Sequence, residues 1–420
     1  MDKKLALEIL VRYEEEHTYL NIALNNALKH PLNRNEKNRI TLFVYGTMQH
    51  RLYLEYLLEP FIQGKKVQTY EHMLLLMCIY EHVYMSIPDY AIVNEAVEMC
   101  KREKGRRSAS FVNAVLRNVF KNERSLEGLD EIQYLSITTS HPLWLVKMFI
   151  AQYGLDTSRK ILNANNNVPL RTGRVNTLLI SRDDFLKKYP MFEKGTLSKN
   201  SVILDKGSIG NTEAFRNGEV AIQDESSQLV AEYLDPQDGE EILDMCAAPG
   251  SKTTHIAALM HNTGHIDAYD LYQHKASLIK RSCERLKVTN VSLHVGDSTK
   301  LTENTTKQYD RILLDGPCTG YGVISRKPEI RYHDSSIMDE IIPIQKKLLD
   351  NAYAMCKNNG VIVYSTCTLN KKENEMQIKA FLEKYPDMHK VKDQTILPYE
   401  YHSDGFYMCL LKKGKDGIDI

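Results

Sequence analysis

Glu241-Ile-Leu-Asp-Met-Cys-Ala-Ala-Pro-Gly-Ser-Lys-Thr-Thr-His-Ile-Ala257 reads as a buried strand, a tight turn and the start of a helix. Ile242 and Leu243 are apolar and follow a turn signal at 236–239, and Asp244 closes the strand. Ala247, Ala248, Pro249 and Gly250 are small or rigid, so backbone N–H groups can come close to a ligand. In an open α/β sheet, the carboxyl end of the first strand is where ligands bind. The stretch has neither G-x-G-x-x-G nor the P-loop spacing, and one glycine beside one proline suits a ligand with an amino-acid tail better than a pyrophosphate. Taken alone, it also describes an ordinary strand-to-helix turn.

The sequence downstream decides between the two. Apolar strands are predicted at 265–270, 291–295, 311–315, 359–365 and 405–411, with a long helix at 337–356. This alternation predicts a parallel sheet covered on both faces, with the last two strands antiparallel. Asp244, Asp270, Asp297 and Asp315 each end or follow a strand, so all four are expected along one crevice. A carboxylate after the second strand suits a ribose diol, and Asp297 is placed for an adenine amino group. Cys318 and Cys367 follow neighbouring strands on the same edge. Cys78, Cys100, Cys283, Cys356 and Cys409 read as small buried hydrophobes, while Cys246 lies in the turn. Lys371, Lys372 and the helix start after them are candidates for lowering the Cys367 thiol pKa.

Upstream of the sheet, the chain to about residue 122 reads as helix. Val93, Ala96, Val97 and Cys100 share one helical face, as do Val112, Val115, Leu116 and Val119. The run 73–80 is apolar all round and is expected as a central buried helix. Residues 101–107 hold five cations and one anion around a glycine, either a solvated loop or a phosphate-contacting patch formed by Lys101, Arg102, Lys104, Arg106 and Arg107. The polar stretch 121–131 reads as a linker. A helix opens at Pro142, with Trp144 expected in the core, and short strands at 175–180, 202–204 and 220–222 predict a small α/β unit.

Composition sets the remaining bounds. Among 420 residues, 54 Lys plus Arg balance 54 Asp plus Glu, so any basic surface is local. The start lacks an apolar signal core, and no apolar run is long enough to span a bilayer. Eight scattered cysteines with no C-x-x-C argue against zinc or disulfides and for a reducing cytoplasm. Neither a metal nor a membrane partner is expected, and a monomer is the default.

The motifs Asp-x-Cys-Ala-Ala-Pro-Gly-x-Lys-Thr-Thr at 244–254, Asp-Gly-Pro-Cys-x-Gly-x-Gly at 315–322 and Ser-Thr-Cys-Thr-x-x-x-x-Glu-Asn-Glu at 365–375 resemble the Sun/Fmu family of RNA (cytosine-C5)-methyltransferases. In the helical part, 87–97 and 111–117 resemble the NusB-like RNA-binding domain. The resemblance implies a NusB-like helical domain at 1–125, linker helices and a small α/β subdomain at 126–228, and a Rossmann-like, seven-stranded, class I methyltransferase domain at 229–420. It also implies S-adenosylmethionine as cofactor, held by Cys246, Ala247, Ala248, Pro249, Gly250, Ser251 and Lys252, with Asp270 on the ribose, Asp297 on the adenine and Asp315 beside cofactor and base. The implied substrate is small-subunit rRNA, at the cytosine conventionally numbered 967. Cys367 would attack the base, Cys318 would release the adduct, and Asp315, if protonated, would donate to the ring's N3. Arg326, Lys327 and Arg331 are further candidates for RNA contact near the pocket. Two residues depart from the family pattern, Ser251 in place of glycine and Tyr321 in place of a small residue, and cofactor affinity is where their effect is expected. The competing readings are an amine-directed methyltransferase, which would carry Asn/Asp-Pro-Pro-Tyr at 315–318, and a non-catalytic NusB-like RNA-binding factor, which would lack Cys367 or the Asp270/Asp297 pair.

Overall fold

The computed structural model describes residues 2–16, 20–122 and 124–414. They form two compact units, one from 1–166 with the short segment 327–332, the other from 167–326 and 333–420.

The first unit is helical. Its central element is helix Thr69–Tyr84, buried without a break from Met73 to Glu81, as its all-round apolar run requires. Helices Asp2–Glu16, Arg34–Gln49, Arg51–Ile62, Asp89–Lys104 and Arg106–Lys121 pack around it. Gly46 allows the closest of these approaches, since a Cβ there would lie 2.1 Å from the Tyr80 ring. Glu81 is buried in this apolar setting and is paired with the equally buried Lys3. The basic stretch 101–107 is two helix ends joined at Gly105, whose φ of 88° a side chain would oppose. Trp144, expected in the core, is only half-buried.

Helices Glu131–Thr138, Leu143–Tyr153 and Leu155–Ala164, expected as part of the linker region, also belong to this compact unit, which runs to residue 166. Packing of Glu131–Thr138 on Arg51–Ile62 is one reason. Arg331 is the other. Its guanidinium is 0% exposed and donates to Gln49 O, Thr139 O, Ser140 O and Asn166 Oδ1 at 3.0–3.1 Å and to Asn165 O at 3.4 Å. These oxygens sit at the C-terminal ends of Arg34–Gln49, Glu131–Thr138 and Leu155–Ala164, where unpaired carbonyls concentrate negative charge. Arg331 is therefore a shared helix cap and not the surface RNA contact that its charge suggested.

The second unit holds two sheets. Strands β1 (Thr172–Val175), β2 (Phe192–Lys194), β3 (Ser201–Leu204) and β4 (Val220–Ile222) form an antiparallel sheet in the order β2-β3-β1-β4. Its first strand ends at Val175, where the sequence pattern had placed a strand's beginning. The larger sheet contains β5 (Glu241–Asp244), β6 (His265–Asp270), β7 (Val291–Val295), β8 (Tyr309–Asp315), β9 (Cys356–Thr366), β10 (Met388–Ile396) and β11 (Phe406–Lys413), in the order β10-β11-β9-β8-β5-β6-β7. The five strands from β9 to β7 are parallel, and β11 runs antiparallel to both β9 and β10. Six of the seven are legible as apolar runs. β10 is not, because it is an edge strand with exposed residues on both faces, including Lys390, Lys392 and Asp393. No helix among the described residues is long and apolar enough to cross a membrane.

Candidate active site

The parallel strands deliver their carboxyl ends to one edge of the larger sheet. A cavity of about 480 Å³ opens there, lined by Cys246, Ala248, Asp270, Asp297, Asp315 and Cys318, among others. A second cavity of about 600 Å³ is lined by Ser251, Lys252, Arg326, Asp404 and residues of the smaller sheet. Asp315 and Cys367 line both, so the two spaces meet at a carboxylate and a thiol.

In the first cavity, Asp270 accepts the Ala248 N–H at 3.3 Å and the Tyr272 N–H at 3.1 Å. Asp297 accepts the N–H and hydroxyl of Thr299 on Oδ1, at 2.9 and 2.7 Å, and these bonds hold its pKa below the usual carboxylate value. Two acceptors at neighbouring strand ends suit a ribose diol and an adenine amino group. The residues present therefore fit an adenosyl cofactor. The expected row of four acids is in fact three. Asp244 is 1% exposed and lies beneath the cavity, accepting from Thr253 Oγ1 at 2.7 Å. Burial, and then the charge of Asp315, push its pKa up to about 7.

The turn 246–252 divides between the cavities. Cys246 and Ala248 line the first, Ser251 and Lys252 the second. Ala247 is buried, Pro249 is exposed, and Gly250 holds a φ of 95°, where a Cβ would lie 3.1 Å from Ile279. Burial keeps the Cys246 thiol protonated. Lys252 Nζ donates to Asp315 Oδ2 at 2.6 Å, and Ser365 Oγ donates to Asp315 Oδ1 at 2.8 Å. Both oxygens of Asp315 thus act as acceptors here, and burial raises the pKa of the neighbouring Asp244 toward neutrality. Burial alone would lower the Lys252 pKa, but the charges of Asp315 and Cys367 raise it overall. Lys252 is therefore a cation whose charge interacts with that of Cys367, in addition to the Lys371 and Lys372 that the sequence offered. Lys372 is exposed.

The sulfurs of Cys318 and Cys367 are 3.4 Å apart. The hydrogen bond to Cys367, with burial, pushes the Cys318 thiol well above its ordinary value. A buried network fixes both loops. Glu373 is fully buried and accepts from Thr319 N at 2.9 Å, Thr319 Oγ1 at 2.6 Å, Asn370 Nδ2 at 3.0 Å and Gln345 Nε2 at 3.2 Å. Asn374 brackets Cys367, accepting from Thr366 Oγ1 at 2.6 Å and donating to Thr368 O at 2.9 Å. Gly322 N donates to Cys367 O at 2.9 Å, and a Cβ on Gly322 would fall 1.9 Å from Gly405 O. The Glu-Asn-Glu run marked this scaffold in the sequence, but its function is visible only in three dimensions. Gln345, in the middle of helix Ile337–Met355, left no signal.

The remaining candidates separate cleanly. Tyr321 is fully buried and lines neither cavity, so its departure from the family pattern lies away from the first cavity, as does that of Ser251. Arg326 is engaged by two carboxylates, with Nε 2.7 Å from Asp404 and Nη2 2.7 Å from Asp224. Lys327 is exposed, as are Lys101, Arg102, Lys104, Arg106 and Arg107. Lys101 lies 3.7 Å from Glu98, and Lys104 lies over the Tyr70 ring. Arg102, Arg106 and Arg107 make no ion pair among the described residues. No group of three or more His, Cys, Asp or Glu side chains among the described residues is placed to hold a metal ion.

A helix-flanked sheet of this order, with acids at successive strand ends around an adenosyl-sized cavity, defines an S-adenosylmethionine-dependent methyltransferase. Comparison with known proteins narrows the class. The model for the 16S rRNA methyltransferases RsmB/F matches residues 231–412, that of the NusB family matches 2–121, and that of an RsmF/B-like ferredoxin-like domain matches 141–203. The probable ribosomal RNA small subunit methyltransferase B of Bacillus subtilis is 38% identical, with 98% of each chain covered. Ribosomal RNA small subunit methyltransferase B of Yersinia enterocolitica is 32% identical over 90% of this chain and 91% of its own. A methyltransferase homolog from Pyrococcus horikoshii of known structure has a TM-score of 0.62 at 27% identity, covering 68% of this chain and all of its own. The chain belongs to the RsmB/F family of 16S rRNA methyltransferases.

Proposed function

We propose that the protein methylates carbon 5 of a cytosine in small-subunit rRNA, with the cytosine conventionally numbered 967 as the target. The observation that carries this reading is the pair of thiols 3.4 Å apart where the two cavities meet. The cofactor supplies an electrophilic methyl group when bound. Carbon 5 of cytosine is a poor nucleophile, and addition of a thiolate to carbon 6 turns the ring into an enamine. Cys367 is that nucleophile, and the Lys252 cation favours its thiolate. Negative charge grows on N3 and O2 as the thiolate adds, and the remaining Lys252 N–H bonds are the donors beside it. Asp315 keeps its contact with the base as an acceptor for the exocyclic amine. Cys318, held as a thiol, donates to the Cys367 thiolate at rest. Once Cys367 is bonded to carbon 6, Cys318 gives its proton to solvent; after methyl transfer the Cys318 thiolate takes the carbon 5 proton, directly or through water, as the Cys367–carbon 6 bond breaks and Cys367 leaves as a thiolate. Cys246, Ala248, Asp270 and Asp297 hold the cofactor, with Ala247, Pro249 and Gly250 shaping the turn and Ser251 opening the helix.

The base must leave its stack to reach this edge, at a cost of about a few kcal/mol. Phosphate contacts at Lys101, Arg102, Lys104, Arg106 and Arg107 offset that cost in this reading. The direct test incubates the protein with unmethylated small-subunit rRNA and S-adenosylmethionine, then digests the RNA and identifies the product by mass spectrometry. The expected product is 5-methylcytosine; N4-methylcytosine, or no methylated nucleoside, overturns the proposal.

A further inference from the structure

Arg174, on β1 of the smaller sheet, is 1% exposed. Its guanidinium donates to Gln223 Oε1 at 2.7 Å, to Ser251 O at 2.7 Å and to Thr254 Oγ1 at 3.2 Å. No carboxylate pairs with it among the described residues, and its Nε is buried without a hydrogen-bond partner. Burial, and then the charge of Arg285, lower its pKa to about 9. Ser251 and Thr254 belong to the first turn of helix Ser251–Leu259, the positive end of that helix. A cation here opposes the helix dipole and lacks a counter-ion. A buried cation without a counter-ion is costly to hold there. Residues that break local rules at such a cost are expected where function constrains the site.

The carbonyl that Arg174 holds is the one immediately before Lys252. Ser251 O fixes the peptide from which the Lys252 side chain departs toward Asp315 and Cys367. Gln223, Ser251 and Lys252 all line the second cavity. We propose that Arg174 is a positioning residue for Lys252, through which the smaller sheet sets the reactivity of the Cys367 thiol. This rests on Cys367 being the nucleophile. The titratable groups that face Lys252 and Cys367 are Asp244 and Asp315 at the ends of β5 and β8 and Cys318 on the loop after β8. Arg326 and Asp404, paired to each other, line the same cavity. Lys252 is a cation that acts on Cys367, and Arg174 governs where it stands.

The test compares the full-length protein with its Arg174→Lys, Arg174→Gln and Thr254→Val variants. Alkylation of Cys367 by iodoacetamide, resolved by peptide mass spectrometry from pH 6 to 10, reads the thiol without RNA or cofactor. Methyl transfer to unmethylated small-subunit rRNA is followed over the same range. The Arg174 variants are expected to raise the Cys367 midpoint by about one pH unit, equivalent to about tenfold slower transfer at pH 7. The deficit should shrink as pH rises, with the KM for S-adenosylmethionine unchanged. Thr254→Val, the gentlest change, should move the midpoint in the same direction by less, and it carries the test if the Arg174 variants do not fold. An unmoved Cys367 midpoint, or a loss of rate equal at every pH, overturns the proposal. A shifted midpoint in a protein whose unaltered form methylates no rRNA would instead overturn the reading of function and leave the role of Arg174 standing.

Discussion

The sulfurs of Cys318 and Cys367 face each other across 3.4 Å, carried on loops that leave the neighbouring parallel strands β8 and β9. Two thiols this close cannot both ionise at neutral pH, and burial with the hydrogen bond to Cys367 pushes the Cys318 thiol upward. The two cysteines should therefore fail differently. Cys367→Ala should abolish transfer and form no adduct, whereas Cys318→Ala should still attack and accumulate protein-linked RNA. A denaturing gel after incubation with rRNA and cofactor separates these outcomes, and equal methylation by both variants would remove covalent chemistry from the account.

Glu373 ties the Cys318 loop to the Cys367 loop through Thr319, Asn370 and Gln345. Glu373→Gln converts one acceptor oxygen into a donor facing other donors. The expected loss is about 2 kcal/mol of stability, read as a lower Tm. Adduct formation by Cys318→Ala protein should slow when the same change is added.

Asp267 predicts an acid-sensitive element in the larger sheet. Burial raises its pKa, but hydrogen bonds from Lys307 Nζ at 2.7 Å, Tyr309 at 2.9 Å and His294 at 2.7 Å outweigh it and bring the folded value down to about 2. An acid depressed in this way stabilises the fold above its unfolded pKa of about 4 and loses that contribution as pH falls toward 2. The contribution is about 2 kcal/mol. Denaturant unfolding of Asp267→Asn should show this share missing at pH 7, with the difference from the parent shrinking as pH falls below about 4.

Arg331 and the pair Arg106/Arg107 make opposite predictions although all three are arginines. Arg331→Ala strips the shared donor from three helix ends and should cost about 3 kcal/mol while leaving the salt dependence of rRNA binding unchanged at a temperature where the variant is folded. Arg106→Ala with Arg107→Ala should leave Tm unchanged and flatten the dependence of log Kd on log salt by roughly one to two. Binding unaffected by the double change would take the 101–107 patch out of the RNA interface.

Legibility in the sequence followed burial and local spacing. Apolar runs marked β5, β8 and β9, and the acids and thiols at their ends could be placed on one edge because parallel strands share a direction. Charge misled where burial was hidden: Arg331 and Arg326 looked like surface cations and are a helix cap and a doubly paired clamp. Lys252 was assigned to the cofactor by motif position, and it lines the second cavity together with Asp315 and Cys367. Contacts between residues far apart in the chain, such as Gln345 with Glu373 or Arg174 with Ser251, leave no periodic trace to read.

The excursion 327–332 has a consequence for the order in which the molecule can be completed during synthesis. The helical unit comprises the first 166 residues, yet the cap for three of its helices arrives with Arg331. A ribosome that has released residue 166 has supplied the described α-helices of that unit, but the carbonyls at those three ends stay open to water until about 160 further residues have emerged. The N-terminal part is thus the earliest to be made, yet its cap arrives only after β5 to β8 and before β9, β10 and β11.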